Sequence, residues 1–215
     1  MGKRLYIMGA AQCGMQKPHC AALEEEYDFI IAADGGYETL LSQGITPDLV
    51  VGDFDSLGYL PQHPNVISSP AEKDDTDMLL AVKQGLERGY KTIVIEGGLG
   101  GRLDHTFANI QVLVYIAKNN ASGYCIGQDM CVTAITDGTV SFRSGLSGGI
   151  SVFSADSMAE GVTLTGLKYS ADNIDLTNSY PIGVSNEFTG APASISVRAG
   201  TLIVIWAGKM GDLTI

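Results

Sequence analysis

Asp53 and Asp55 stand one residue apart at the end of a β-branched run, in Pro47-Asp48-Leu49-Val50-Val51-Gly52-Asp53-Phe54-Asp55-Ser56-Leu57. Leu49–Val51 has the composition of a fully buried strand, and Gly52 lets the backbone turn, so both carboxylates project where a hard cation with oxygen ligands can sit. The competing interpretation is a solvated turn or a helix N-cap.

Three further acidic clusters shift the balance toward a site. Ile30-Ile31-Ala32-Ala33-Asp34-Gly35-Gly36 ends a strand with a carboxylate and two glycines, so that Asp34 either faces a ligand or caps the next helix. Lys73-Asp74-Asp75-Thr76-Asp77 opens the strongest helical pattern of the chain. Asp75 or Thr76 suffices as its cap and Asp77 complements the helix dipole, yet three carboxylates exceed what capping requires. The fourth cluster, Glu96-Gly97-Gly98-Leu99-Gly100-Gly101-Arg102-Leu103-Asp104-His105, is a glycine loop whose amides can cradle phosphate and whose Arg102 can neutralise it. No Gly-Lys-Ser/Thr follows these glycines, which excludes a Walker A loop. His105, at a helix start, has either a structural or a proton-transfer role.

Each cluster falls where a strand hands over to a helix, the edge of an open α/β sheet at which ligands bind. The strands expected are Leu5–Met8, Phe29–Ala33, Leu49–Val51, Val66–Ser68 and Thr92–Ile95, and the helices are Glu38–Gln43, Thr76–Arg88 and His105–Asn119. Met78, Leu79, Val82 and Leu86 form the apolar face of the second helix, and Phe107, Ile110, Val114 and Ala117 that of the third. Gly89 and Asn119-Asn120 stop these helices. After Ser122 strands recur at short intervals with no long amphipathic helix: Gly123–Ile126, Cys131–Thr136, Thr139–Phe142, Ile150–Phe153, Val162–Thr165, Ser194–Val197 and Thr201–Trp206, with Asp137-Gly138 as a hairpin turn. The expected fold is an α/β N-terminal domain with a mostly parallel, Rossmann-like sheet over residues 1–122, followed by an all-β sandwich over residues 123–215.

A net charge of −11 excludes a phosphate-gripping nucleic-acid footprint and suits a site that recruits metal ions or a cationic ligand. No apolar run has the length of a membrane span, and the start is too soon broken by Gly9 for a signal peptide, so no membrane partner and a cytoplasmic location are expected. Cys13, Cys20, Cys125 and Cys131 lack metal-ligand spacing and are expected to be reduced, unligated thiols.

Taken in order, Ala33-Asp34-Gly35-Gly36, Gly52-Asp53-Phe54-Asp55-Ser56, Lys73-Asp74-x-Thr76-Asp77 and Gly97-Gly98-x-x-Gly101-Arg102-x-Asp104-His105 make the chain similar to the thiamine pyrophosphokinases. The resemblance implies transfer of a pyrophosphoryl group from ATP to thiamine, an N-terminal α/β domain, a C-terminal sandwich, and a homodimer with sites made between subunits. It implies Mg²⁺ on Asp53, Asp55 and Asp77, with Asp34 and Asp104 completing an acidic ring that does the chemistry. Lys73, Asp74, Thr76, Gly97, Gly98 and Arg102 fall at the ATP positions. Gly183-Val184-Ser185-Asn186-Glu187 is similar to the element near thiamine, and Leu202–Trp206 to the final strand. Ser185, Asn186 and Trp206 are then the thiamine-side residues, with Trp206 open between ring stacking and a core role. Lys168–Pro181 departs from the family's pattern.

The residues agree with that chemistry. An acidic protein meets anionic ATP only through metal ions, for which Mg²⁺ on carboxylates from separate loops is suited. The base for the thiamine hydroxyl is an aspartate, Asp77 or Asp104. Competing assignments are a metal-dependent phosphohydrolase with Asp53 as nucleophile, and a non-catalytic nucleotide sensor.

Overall fold

The computed structural model describes residues 3–11, 26–55, 57–68 and 74–214. The chain divides into two compact units, Met1–Val112 with Cys125–Gln128, and Leu113–Tyr124 with Asp129–Ile215.

In the first unit β1 (Arg4–Met8), β2 (Phe29–Ala33), β3 (Leu49–Gly52), β4 (Val66–Ser68) and β5 (Thr92–Glu96) take the order β5-β1-β2-β3-β4. Every neighbouring pair is parallel, with Ile7 opposite both Ile31 and Ile95, and Ala33 opposite Val51. Leu5, Tyr6, Ile7, Ile31, Ala32, Val50, Val51 and Ile93–Ile95 are buried without alternation, as strands covered on both faces must be. Helix α1 (Gly36–Ser42) joins β2 to β3 and α2 (Asp77–Glu87) joins β4 to β5, while α3 (Leu103–Lys118) follows β5 and leads to β6 (Ser122–Ile126). Because all five strands run the same way, Met8, Ala33, Gly52, Ser68 and Glu96 end at one edge, and the loops that follow them share it.

The apolar face expected for α3 is corrected. Phe107 is 62% exposed, and the buried stripe is Asn109, Val112, Leu113, Ile116 and Ala117. The sequence Leu103–Lys118 carries apolar residues almost all round, so two stripes about 100° apart fit the same periodicity. In α2 the buried residues are Met78, Ala81, Val82 and Gly85, against the expected Met78, Leu79, Val82 and Leu86.

In the second unit β7 (Met130–Thr136), β9 (Gly149–Ser154), β12 (Asn186–Glu187) and β14 (Thr201–Ala207) form an antiparallel array in the order β12-β9-β14-β7. A second antiparallel sheet holds β8 (Thr139–Phe142), β10 (Ala159–Thr165), β11 (Ala171–Leu176) and β13 (Ala193–Ser196), in the order β11-β10-β13-β8. Strands of β9 and β8 type alternate buried and exposed residues, which is the pattern of a sheet with one face in a core. The two sheets meet through aromatic rings: Phe142 of β8 lies edge-on to Trp206 of β14 at 5.4 Å and to Phe188 at 5.1 Å.

Asp137-Gly138 does not close a hairpin. Its flanking strands join different sheets, β7 pairing with β14 and β8 with β13, and the turn is tied instead to the 197–200 segment. Asp137 N donates to Gly200 O, Gly200 N donates to Asp137 Oδ1, and Val197 N donates to Gly138 O. Strand β11, Ala-Asp-Asn-Ile-Asp-Leu, was not expected; it is a largely exposed edge strand whose polar residues give no period-two signal. Cys125 and Cys131 are buried cysteines in no disulfide, and burial pushes the Cys131 thiol up to about 12. Cys13 and Cys20 lie outside the described residues.

Candidate active site

At the strand edge of the first unit lies a cleft of about 490 Å³. Its floor is a crossing of two backbones. Gly9, directly after β1, donates its N–H to Glu96 O at 2.7 Å, and Ala11 N donates to Gly97 O at 2.9 Å. The approach admits no side chain on either glycine: a Cβ on Gly9 would stand 2.6 Å from Gly97 O, and one on Gly97 (φ +69°) would collide with Gly9 O. Helix α3 holds the glycine loop from its other side. Asn109, 8% exposed, donates Nδ2–H to Gly98 O at 2.7 Å, and Gly100 N donates to Thr106 Oγ1 at 3.1 Å.

Over this floor Asp34, Asp53 and Asp77 converge, each offering a carboxylate oxygen within 4.8 Å of the others. Three separate elements deliver them. Asp34 follows β2 with φ +48° and donates its N–H to Val51 O, which fixes it beside the end of β3. Asp53 follows β3, and the next residue, Phe54, is buried with φ +62°. Left-handed backbone at two non-glycine residues costs energy, and such strain gathers where a ligand site dictates geometry. Asp77 is the first residue of α2; the capping falls to Thr76, whose Oγ1 accepts from Leu79 N at 3.2 Å. Helix α1 has Gly35 at its N-cap with no side-chain cap, so Asp34 is not spent on capping.

Two oxygens that ligate one hard cation from opposite sides lie about 4–5 Å apart. The three carboxylates therefore suit a divalent ion in both spacing and donor type. Asp55 stands outside this cluster: it is exposed, and its backbone N–H donates to Asp53 Oδ1 at 3.1 Å. Asp74, Thr76, Gly97, Asp104 and His105 also line the cleft, whereas Gly98 and Arg102 do not. Lys73 falls outside the described residues.

Arg102 is engaged with Asp104, through Nε–H to Oδ1 at 3.1 Å and an Nη2–H to Oδ2 at 2.6 Å. The pair is open to solvent, with side chains 72% and 63% exposed. The guanidinium, helped by the His105 N–H, holds the Asp104 carboxyl down at about 2. Arg102→Ala is expected to return that carboxyl upward toward the ordinary aspartate range, as read by carboxyl-carbon NMR titration. The same variant weakens nucleotide binding if Arg102 leaves Asp104 for phosphate. An unchanged Asp104 midpoint would show that the pair does not persist in solution.

In the second unit Asn186 is buried, and both ends of its amide are used: Oδ1 accepts from Tyr169 N at 2.9 Å, and Nδ2 donates to Tyr169 O at 2.7 Å. Ser185 has φ +62° and donates its N–H to Ser151 Oγ. Trp206 is 1% exposed, with Nε1–H toward Lys209 O. Asn186 and Trp206 pair with Ile150 from its two sides.

The glycine Gly9, the alanines after it and Asn109 escaped the sequence reading. The available signal was a glycine directly after a strand, as at Gly52 and Gly97; Asn109 shares its helix with another amide, Gln111, and gave no distinct signal.

Residues 20–125 match the profile of the thiamin pyrophosphokinase catalytic domain, and residues 139–202 that of the thiamin pyrophosphokinase vitamin B1 binding domain. The thiamine pyrophosphokinase of Bacillus subtilis (strain 168) is 31% identical over 195 residues, covering 87% of this chain and 91% of that protein. The chain belongs to the thiamin pyrophosphokinase family. Its structure agrees: the crystal structure of the Bacillus subtilis thiamine pyrophosphokinase superposes with a TM-score of 0.83 at 28% identity, covering 97% of this chain and all of the other. That of the Geobacillus thermodenitrificans thiamin pyrophosphokinase gives 0.79 at 27% identity, over 98% and 100%. The carboxylate cluster and the Glu96–Gly97 side of the crossing lie within the stretch matched to the catalytic domain, and Gly9 and Ala11 precede it.

Proposed function

We propose that Asp34, Asp53 and Asp77 hold Mg²⁺ and through it the polyphosphate of ATP, in a cleft built for an anion that arrives with its metal. The chain is an ATP-dependent transferase of the thiamin pyrophosphokinase family: the thiamine hydroxyl oxygen bonds to the β-phosphorus of ATP, the α–β bridge breaks, and thiamine diphosphate and AMP result. The observation that carries the site assignment is the approach of three carboxylates within 4.8 Å, two from loops after β2 and β3 and one from the start of α2. When bound, the ion withdraws negative charge from phosphate oxygens. The chain's own residues do the rest. The glycine loop meets the phosphates at Gly97, which lines the cleft, and Arg102 pairs with a phosphate on release from Asp104. Lys73, Asp74, Thr76 and Gly98 belong to the same nucleotide side. The hydroxyl proton passes to an aspartate, Asp77 or Asp104, both of which line the cleft. Asp55 acts from outside the cluster, as an outer carboxylate of the ring.

The α/β part, residues 1–122 with a Rossmann-like sheet, is then the catalytic domain, and residues 123–215 form the thiamine-binding and dimerisation sandwich. Ser185 and Asn186 serve the thiamine side, with Trp206 as the buried support of their neighbour Ile150. A homodimer is supported by Tyr169, Tyr180, Ile182 and Val184, each more than half exposed on the segments tied to Asn186. Sedimentation is expected to give twice the chain mass, and a fully active monomer would remove the dimer. Among the described residues no helix is long and apolar enough to cross a membrane, and we place the enzyme in the cytoplasm. Incubation with ATP, thiamine and Mg²⁺ is expected to yield thiamine diphosphate, and a chelator to stop it. Undiminished turnover in the chelator would contradict the metal assignment.

A further inference from the structure

We infer that Lys83 is a positioning residue for the nucleotide, cancelling the charge of Asp75 at the cleft so that this surplus carboxylate neither repels the polyphosphate nor competes for the metal ion. The inference rests on the placement of Mg²⁺ and ATP in this cleft. The start of α2 carries Asp74, Asp75 and Asp77, of which Asp77 joins the carboxylate cluster, while Thr76 does the capping. Asp75 therefore has neither task, yet it lines the cleft. Six aspartates line it in all, and among the described residues no lysine or arginine does. The charge must be answered from outside. Lys83, eight residues on and about two turns along the same helix, sends its Nζ back to Asp75 Oδ2 at 2.6 Å.

Both side chains are only about one third exposed, 34% for Lys83 and 31% for Asp75, so the attraction is screened less than in an open surface pair. The pair also fixes the Asp75 carboxylate toward the helix rather than toward the cluster. A mere tether for the 74–76 loop would need the ion pair as a unit. Charge cancellation needs only that the carboxylate not be left uncompensated. The two roles therefore differ in what removing both partners does.

The test is equilibrium dialysis of labelled ATP with Mg²⁺ and no thiamine, together with the steady-state KM for ATP, on Lys83→Met, Asp75→Asn and the double variant. Lys83→Gln is the alternative should Lys83→Met fail to fold. Lys83→Met is expected to weaken ATP about fivefold at low salt. The defect should shrink as KCl rises from about 0.05 M to 0.5 M, since exposed charges are screened over a shorter distance. The double variant is expected to recover most of the affinity, because Asp75→Asn removes the charge that Lys83 no longer cancels. A double variant as weak as Lys83→Met, or a defect independent of salt, would overturn the inference. Asp77→Asn measured alongside keeps the two questions separate: if it binds Mg²⁺ and ATP as the unaltered chain does, the site assignment fails, whatever Lys83 does.

Discussion

Asp77→Asn is expected to lower kcat on the order of 10³-fold, the scale on which removing one group that stabilises transition-state charge is felt. The melting temperature should stay level or rise slightly. Both effects come from one fact, that three carboxylates share a space 4.8 Å across. Without an ion they repel one another, and neutralising one relieves the fold. With the ion in place each supplies a hard oxygen donor, and an amide in place of a carboxylate leaves the metal short of a charged ligand. Asp53→Asn is expected to behave alike. Steady-state kinetics with saturating ATP and thiamine, paired with a thermal melt, reads the two quantities together. Full activity in both variants would remove the cluster from the chemistry; a collapse of the melt would show that the carboxylates hold the fold together.

Gly97→Ala should destabilise the floor of the cleft strongly. The new methyl group would meet Gly9 O, and the backbone at φ +69° disfavours any side chain. The left-handed conformation contributes about 1–2 kcal/mol and the collision about 1–3 kcal/mol, for a sum of about 3 kcal/mol. In a chain of this size that corresponds to a fall of roughly 6–12 °C in the first unfolding transition. Gly9→Ala meets the same crossing from the other strand, with its Cβ 2.6 Å from Gly97 O, and should fall by the collision part alone. Differential scanning calorimetry measures both. A shift under about 2 °C for Gly97→Ala would show that the two loops separate readily and that the cleft floor is not rigid.

Much of this site could be read in the sequence because a buried parallel strand followed by Asp or Gly is a local signal, and five such strands set one edge. That Asp34 rather than Asp55 joins Asp53 and Asp77 could not. Asp53 and Asp55 are neighbours in sequence, so they invite assignment as a pair, but the turn at Phe54 (φ +62°) separates their side chains. Asp34, nineteen positions before Asp53, reaches the cluster because β2 and β3 pair with Ala33 opposite Val51. That adjacency is tertiary information. The face of α3 was illegible for a different reason: a helix with apolar residues nearly all round has no single period-3.6 stripe, and only tertiary packing decides that Val112, Leu113 and Ile116 are buried and Phe107 is not. Strand β11 gave no signal because an exposed edge strand is held by its ladder to β10 rather than by an apolar face. The Asp137-Gly138 turn has the composition of a hairpin, and only the competing partners of its two flanking strands send them to different sheets.

The position of the label after reaction with γ-³²P-ATP, thiamine and Mg²⁺ tests the central claim most directly. The glycine loop Gly97–Gly101 has no P-loop lysine to reach the β- and γ-phosphates for terminal transfer, and Asp34, Asp53 and Asp77 would hold an ion that could offset the charge of AMP as leaving group. The label is predicted in the terminal phosphate of thiamine diphosphate, with AMP as the nucleotide product in equal amount on anion exchange. ADP with labelled thiamine monophosphate, or labelled inorganic phosphate with thiamine unchanged, would contradict it.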